Sequence, residues 1–385
     1  MRPADGRLGH PKGGAAVESF RVQDLSHGGN LSFSWGAAAT QGRRTGMEDA
    51  HVVNLDLDGG GATALFAVFD GHAGAEVAAF CARHICCAVV DAPAYRAGDL
   101  EGALSEARSG GGLRGGAYLR LDAMLTDPVH RQELACLNAG LRPGRNPAAN
   151  QALAEQYGTL HEQGVYLGAK AGCTACVTVV RGGDMFVANV GDSRCALCEA
   201  GGAAVSLTRD HKPGLLGEGE RVKRAGFAVV HNRVYGARSS LAMSRALGDT
   251  KYKDPHLPPE EQAVCPVPET TQYVVGTAAS AAVGAPAGPG LLAGGGDPGA
   301  AEAAEFVILA CDGVFDCMSN EQAVAFVRER LRRGAAPQQA ALALVDECLS
   351  PETATPVSMD NITALVVCFR PAPGSVVLGG SRSLA

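Results

Sequence analysis

An α+β fold, with antiparallel sheets and helices packed outside them, is what this sequence predicts. Apolar runs of strand length come in hairpins, as where Arg181–Asp184 (RGGD) separates two such runs. Helical periodicity comes in blocks and does not alternate one for one with strands. That pattern argues against a doubly wound parallel sheet. No internal repeat at a fixed period is visible.

Taken in order, Met1–Glu18 is polar and rich in Gly and Pro, and is expected to be a disordered tail. Ser19–Leu57 reads as short strands with turns. Thr63–Phe69 is a continuous apolar run, short enough for a buried strand. Ala73–Val90 carries Val77, Phe80, Cys81, His84 and Ile85 at helical spacing. Asp99–Arg108, Ala117–Leu141 and Pro147–Gln163 also read as helices, with breaks at Ser109–Gly116 and near Pro143. Cys173–Val180, Met185–Asn189 and Arg194–Cys198 read as neighbouring strands. Gly217–Ala225 is a short helix, Arg233–Asp249 a mixed loop with a short helix, and Tyr273–Val275 a strand. Thr277–Ala304 is Ala/Gly/Pro-rich and nearly uncharged, as a flexible surface insertion would be. Phe306–Ala310 and Ile362–Phe369 read as strands, and Glu321–Arg332 and Pro337–Leu349 as helices. Pro371–Ala385 is expected to be a second disordered tail.

The bulk numbers narrow the function. The 385 residues carry a formal charge of −7 and no basic block of five or more, which argues against nucleic acid as a partner. The 13 cysteines are odd in number and mostly sit in apolar runs. Reduced, buried thiols in a soluble intracellular protein, cytoplasmic or nuclear, are the simpler reading. Cys173 and Cys176 form a CxxC, but no second pair follows, and residues three apart on a strand face opposite sides. The N-terminus has no apolar signal core, no acylation or prenylation signature is present, and no apolar run reaches about 18 residues. Neither a membrane anchor nor a membrane partner is expected.

Chemistry enters through acids that recur at the edges of apolar runs. They stand in RTGMEDAH (Arg44–His51), FAVFDGHAG (Phe66–Gly74), MFVANVGDSR (Met185–Arg194), FVILACDGVFD (Phe306–Asp316) and MDNITALVV (Met359–Val367). Acids collected at a buried edge repel or protonate unless a cation joins them. Oxygen ligands of this kind suit Mg²⁺ or Mn²⁺. Asp70-Gly71 alone would be a plain turn. Asp312-Gly313, Asp360-Asn361 and Glu48-Asp49 repeat the theme and weaken that reading. One metal needs only one or two carboxylates, so five or more acids suggest two. Two cations about 3.5–4 Å apart can share a carboxylate and a bridging water, which suits in-line attack on phosphorus. Arg44 is the best cation for the phosphoryl oxygens, because its planar fork binds two at once, although it could be an ordinary surface arginine. His72, two residues past Asp70, is placed to protonate a leaving group.

RxxxEDAH, FDGHxG, GDSR, TxDHKP, SRALGD, ACDGxFD and DNIT stand in this order at Arg44–His51, Phe69–Gly74, Gly191–Arg194, Thr208–Pro213, Ser244–Asp249, Ala310–Asp316 and Asp360–Thr363. The chain thereby resembles the metal-dependent protein phosphatases of type 2C, over about Ser19 to Arg370 as a single domain. The resemblance implies a four-layer αββα sandwich of two antiparallel β-sheets flanked by helices. It implies hydrolysis of phosphoserine and phosphothreonine in protein substrates by a monomer that holds two Mg²⁺ or Mn²⁺ ions. Asp70 would bridge both metals, the Gly71 carbonyl would join the first, and Asp312 and Asp360 would hold the second. Glu48 and Asp49 would order metal-bound waters, and Asp192 and Asp316 would form a weaker third site. Arg44 would bind the phosphate and His72 would be the general acid. Ser193, Arg194, Asp210, His211 and Lys212 would be structural, and Arg245 and Asp249 would pair within the fold. The sequence departs from the pattern at Ala237-Arg238-Ser239-Ser240 and in the long Thr277–Ala304 insertion.

Three rivals differ in mechanism. A cysteine phosphatase would use C-x5-R, found at Cys136–Arg142, but that segment ends a helix-like run and has no preceding histidine. A non-catalytic scaffold of the same fold would have lost metal acids, which are all present here. A hydrolase of small phosphoesters would carry the same centre.

Overall fold

A computed structural model describes residues 24–106, 115–141, 147–160, 166–236, 239–275, 304–349 and 360–370. The expected tails 1–18 and 371–385, most of the long insertion (277–303) and residues 237–238 lie outside these.

The strand Thr63–Phe69 is buried at every position because both its faces are covered. Ala64, Phe66 and Val68 point into one apolar layer and Leu65, Ala67 and Phe69 into another, as the two-residue period of a strand requires. This strand sits in a five-stranded sheet ordered Glu269–Val274, Asp184–Val190, Ala175–Arg181, Thr63–Phe69, Ala50–Asn54. A six-stranded sheet is ordered Asp24–Gly29, Phe33–Thr40, Ile362–Phe369, Phe306–Ala310, Arg194–Cys198, Ala204–Ser206. Every pairing in both is antiparallel. The inner layer between the sheets takes Phe66 and Val187 from one and Leu309 and Val367 from the other. Helices Glu76–Val90, Ala117–Thr126 and Arg131–Asn138 cover the outer face of the five-stranded sheet. Helices Asn320–Arg332 and Pro337–Leu349 cover the other. The α+β expectation and the αββα layering both hold.

Two features of the six-stranded sheet matter later. Its first long strand, Phe33–Thr40, pairs along its whole length with Ile362–Phe369, from Phe33 opposite Phe369 to Thr40 opposite Ile362. On that first strand Gly36 lies under the start of helix Pro337–Leu349, where a β-carbon would run into the backbone of Gln338.

Several elements differ from the sequence reading, each for a local reason. The helix expected over Ala117–Leu141 is two helices, split at Asp127-Pro128, where the Asp127 carboxylate accepts from Val129 N (2.9 Å) and Pro128 starts a 3₁₀ turn. The helix after Gly74 begins only at Glu76, because Ala73 (φ 60°) and Gly74 (φ 144°) are not helical. The helix from Pro147 stops at Gln156 and a short strand follows at Thr159–Leu160. Arg194–Cys198 is not a neighbour of Asp184–Val190: the chain turns at Gly191 (φ 100°) and crosses to the other sheet. The described residues of Arg233–Asp249 hold three short strands and no helix. Cys173 and Cys176 lie on separate strands, Gly172–Cys173 and Ala175–Arg181, and not on the single strand expected, and they face different core layers. Cys136 is fully buried in its helix, unlike a phosphatase nucleophile. Among the described residues no helix is long and apolar enough to cross a membrane.

The contact at Gly36 gives a stability prediction. Gly36→Ala should cost about 1–3 kcal/mol, the usual range for overpacking, read as a lowered denaturant midpoint at unchanged m-value. An unchanged midpoint would mean that helix Pro337–Leu349 is not seated on this strand.

Candidate metal centre

One end of the two facing sheets collects the acids. Thr63–Phe69 runs directly into Asp70, Asp184–Val190 into Gly191-Asp192, and Phe306–Ala310 into Cys311-Asp312. Asp360-Asn361 immediately precedes Ile362–Phe369, and Glu48-Asp49 precedes Ala50–Asn54. Asp312 opens the short helix Asp312–Phe315, and Asp316 closes it. Antiparallel pairing brings the C-terminal ends of some strands beside the N-terminal ends of others. Acids up to 312 positions apart in sequence therefore share one pocket.

Neutral groups fix the pocket floor. Asp70 N donates to Thr174 Oγ1 (3.1 Å), and Thr174 N donates to Asp70 O (2.9 Å). Thr174 Oγ1 and Ser193 Oγ lie 2.6 Å apart. Thr363 Oγ1 donates to Asp49 Oδ2 (2.7 Å). Asn361 acts as a clasp. Its Oδ1 accepts from Glu48 N (2.8 Å), and its Nδ2 donates to Gln41 O (2.8 Å) and Gly46 O (2.9 Å). The segment bearing Arg44, Glu48 and Asp49 is thus tied to the strand that follows Asp360. Gly71 has a packing reason to be glycine: a β-carbon there would strike the Glu48 carbonyl oxygen.

Burial and like charge make these carboxyls reluctant to ionise. Burial pushes Asp70 well above its ordinary range, and the charges of Asp312, Asp49, Asp192 and Asp360 add to it. Burial carries Asp49 up to about 7. Asp312 is raised to about 8 by burial, then by Asp192, Asp316 and Asp360. Asp316 is raised, chiefly by burial. Asp49 Oδ1 and Asp192 Oδ1 are buried without a hydrogen-bond partner. Asp49, Asp70 and Cys311 each offer a ligand atom within 4.8 Å of the others. Cys311 Sγ accepts from Thr363 N (3.1 Å), which leaves the oxygens as the open donors. Orphaned carboxylate oxygens with elevated pKa are what a divalent-cation site presents before its charge is balanced. The residues fit Mg²⁺ or Mn²⁺.

The expected site residues divide by position. Asp49, Asp70, Asp192, Asp312, Asp316 and Asp360 interact electrostatically as one cluster. Glu48 and Gly71 border it. Arg44 stands at the rim, 57% exposed, with Nη2 ion-paired to Asp360 Oδ2. His72 lies beside the cluster in the strand Gly71–His72, paired with Gly172–Cys173. Its Nε2 and Asp249 Oδ2 are 2.5 Å apart, and its Nδ1 is buried with no hydrogen-bond partner. Burial opposes protonation of this ring, but the Asp249 charge and hydrogen bond outweigh it, and the His72 pKa is raised.

Three assignments change. Arg245 and Asp249 do not pair with each other: Arg245 bonds Glu218 and Glu269, while Asp249 bonds His72. Lys212 does more than order a loop, since its Nζ is ion-paired to Asp192 Oδ2 inside the cluster. Asn361, part of a motif but given no role, is the clasp described above. Arg194 does hold its turn, through two bonds to Asp210 (2.7 and 2.9 Å). No local signal marks the His72–Asp249 or Lys212–Asp192 contacts, whose partners are 177 and 20 residues apart.

A family model described as protein phosphatase 2C matches residues 33–109, 136–278 and 300–357. The chain is 33% identical over 355 residues to probable protein phosphatase 2C 11 of Oryza sativa subsp. japonica, covering 89% of this chain and 87% of that protein. It is 32% identical over 370 residues to probable protein phosphatase 2C 21 of Arabidopsis thaliana, covering 93% of each. Among solved structures it is similar to serine-threonine phosphatase 2C from Toxoplasma gondii, with a TM-score of 0.60 at 20% identity, over 91% of this chain and 100% of that one. At that identity the last likeness speaks for the fold alone.

The elevated carboxyl pKa values set a pH dependence for the metal-free protein. Between about pH 4 and 8 the folded chain holds protons on Asp49, Asp70 and Asp312 that the unfolded chain has released. Stability therefore falls as pH rises through that window. In EDTA the melting temperature should drop from pH 5.5 to pH 8, and millimolar Mg²⁺ or Mn²⁺ should restore it most at pH 8. A flat profile unaffected by metal would count against the centre.

Proposed function

This chain belongs to the protein phosphatase 2C family of metal-dependent serine/threonine protein phosphatases, and on that premise we propose how its own residues divide the work. The observation that carries the assignment is the cluster of Asp49, Asp70 and Asp312, buried at elevated pKa beside orphaned carboxylate oxygens. We assign two divalent cations, Mg²⁺ or Mn²⁺, to Asp70, the Gly71 carbonyl, Asp312 and Asp360, and a weaker third to Asp192 and Asp316. Bound there, the cations lower the pKa of water toward neutrality and offset phosphoryl charge. Glu48 and Asp49 supply the acceptors that orient water around them.

His72 handles the leaving group. Its Nε2 is engaged by Asp249, so its unpartnered Nδ1 is the atom that delivers a proton. Serine and threonine alkoxides leave poorly without one, and such protonation contributes about 10²–10⁴-fold. Arg44 receives the phosphate at the rim, where its planar guanidinium offers donors beyond the one on Asp360. Substrates are phosphoserine and phosphothreonine proteins; the formal charge of −7 disfavours nucleic acid. The reading places one phosphatase domain over 19–370, acting as a monomer.

Phosphate release from a phosphothreonine peptide should require Mn²⁺ or Mg²⁺, stop in excess EDTA, and fall to background in Asp70→Asn with the melting curve still cooperative. Wild-type turnover in that variant would remove Asp70 from the centre. Arg44→Ala should raise KM for the peptide by roughly ten- to a hundredfold, as expected for a lost charged hydrogen bond. An unchanged KM would return Arg44 to the ordinary surface.

A further inference from the structure

His72 is only as well placed as the carboxylate that holds it. Asp249 is fully buried, and its Oδ1 has no hydrogen-bond partner. Among the described hydrogen bonds of that side chain, the bond to His72 stands alone. The His72–Asp249 pair lies across bare backbone at Gly172, where a β-carbon would meet both Asp249 Oδ2 and His72 Nε2. Among the described residues no side-chain donor reaches Oδ1 of this carboxylate. Its direction is set by the main chain of its own turn.

That turn is strained. Gly248 (φ 77°) and Asp249 (φ 51°) are consecutive left-handed residues, and the second has a β-carbon. Such a conformation persists only where surrounding structure holds it. Asp249 N donates to Ala171 O (2.9 Å). The turn is also held by the pairing of Leu247–Gly248 with Gly172–Cys173, by Thr250 Oγ1, which donates to Ala169 O (2.8 Å), and by a side chain on a different element. Asp122 Oδ1 accepts from Gly248 N (2.9 Å) and from Lys253 Nζ (2.5 Å), and Lys253 Nζ also donates to Ala246 O (3.1 Å). Asp122 and Lys253 thus tie together positions 246, 248 and 253, on both sides of Asp249. Asp122 stands on helix Ala117–Thr126, whose Leu121 and Leu125 are fully buried, so it is a fixed post. The pair lines a cavity of about 550 Å³ with Leu119, Leu257 and Gln262, to which none of the clustered acids contributes.

We propose that Asp122, together with Lys253, is a positioning residue for proton delivery: it fixes the Ala246–Asp249 turn and through Asp249 the orientation of His72. The proposal rests on the reading of His72 as the proton donor. Asp122 itself touches neither substrate nor metal.

The test compares two esters on the full-length chain with saturating Mn²⁺. A phosphothreonine peptide needs its alkoxide protonated, whereas p-nitrophenyl phosphate loses a phenolate that departs without a proton. Asp122→Ala should lower kcat on the peptide about tenfold or more, consistent with misplacement of a catalytic group, at little change in KM. Its loss on p-nitrophenyl phosphate should be much smaller. Asp122→Asn keeps the acceptor for Gly248 N and should recover part of the loss; Lys253→Met should resemble Asp122→Ala in direction. In a His72→Gln background Asp122→Ala should add nothing on the peptide, because the two act as one unit. Equal losses on both esters, or a full additive loss in that background, would make Asp122 merely structural and overturn the proposal. His72→Gln slowing both esters alike would remove the proton-donor reading, and the proposal with it. If Asp122→Ala does not fold, Asp122→Asn and Lys253→Met carry the same comparison.

Discussion

Mutual repulsion among buried carboxylates is the constraint on which the rest of this structure depends. Asp49, Asp70, Asp312 and Asp316 lie where burial alone already disfavours their charge. Left to flexible segments they would move apart into water. They are instead mounted at the ends of strands whose other residues are locked into two-sided cores. The Asn361 clasp, the Thr363 bond to Asp49 and the Thr174–Ser193 pair hold the connecting backbone. Arg44 and Lys212 bring opposing charge to cluster acids, ion-paired at Asp360 and Asp192. Stability stored in the sandwich is what keeps the acids together long enough to be useful.

A second buried polar group shows the opposite balance. Burial alone would raise the pKa of Glu218, yet bonds from Arg221 and Arg245 bring it down to about 2. Its oxygens also take the Ser244 hydroxyl (2.5 Å). Glu269 is likewise lowered to about 2, with His211 and Arg209 as hydrogen-bond partners. Around Glu218 the bonds from Arg221, Arg245 and Ser244 close within the protein and brace the segments beside the centre. A carboxylate is thus a brace where two arginines close on it, and an unbalanced charge where burial and like neighbours dominate.

The elements most legible in the sequence were those buried on both faces or strongly periodic. Thr63–Phe69, Phe306–Ala310, Ile362–Phe369 and helix Pro337–Leu349 match their expected limits. The acids were legible as a set because most lie within two residues of an apolar strand, whereas Asp316 closes the short helix that Asp312 opens. What escaped was pairing at a distance. Nothing near Asp249 points to His72, nothing near Lys212 points to Asp192, and Asp122 reads as one more helix-surface acid. Sheet membership was hidden for the same reason. Arg194–Cys198 follows its hairpin closely, and only Gly191 marks the crossing to the other sheet. Ala117–Leu141 failed because periodicity continued through Pro128 while the backbone did not.

The pairing of Phe33–Thr40 with Ile362–Phe369 has a consequence in time. Phe33–Thr40 has no central-sheet partner until Ile362–Phe369, made more than 300 residues later, has emerged. At about 5–20 residues per second that interval is on the order of tens of seconds. Throughout it Asp360 and the Asn361 clasp do not yet exist, and the segment carrying Glu48 and Asp49 has nothing to close against. The metal centre therefore cannot be completed until Ile362–Phe369 has emerged and paired.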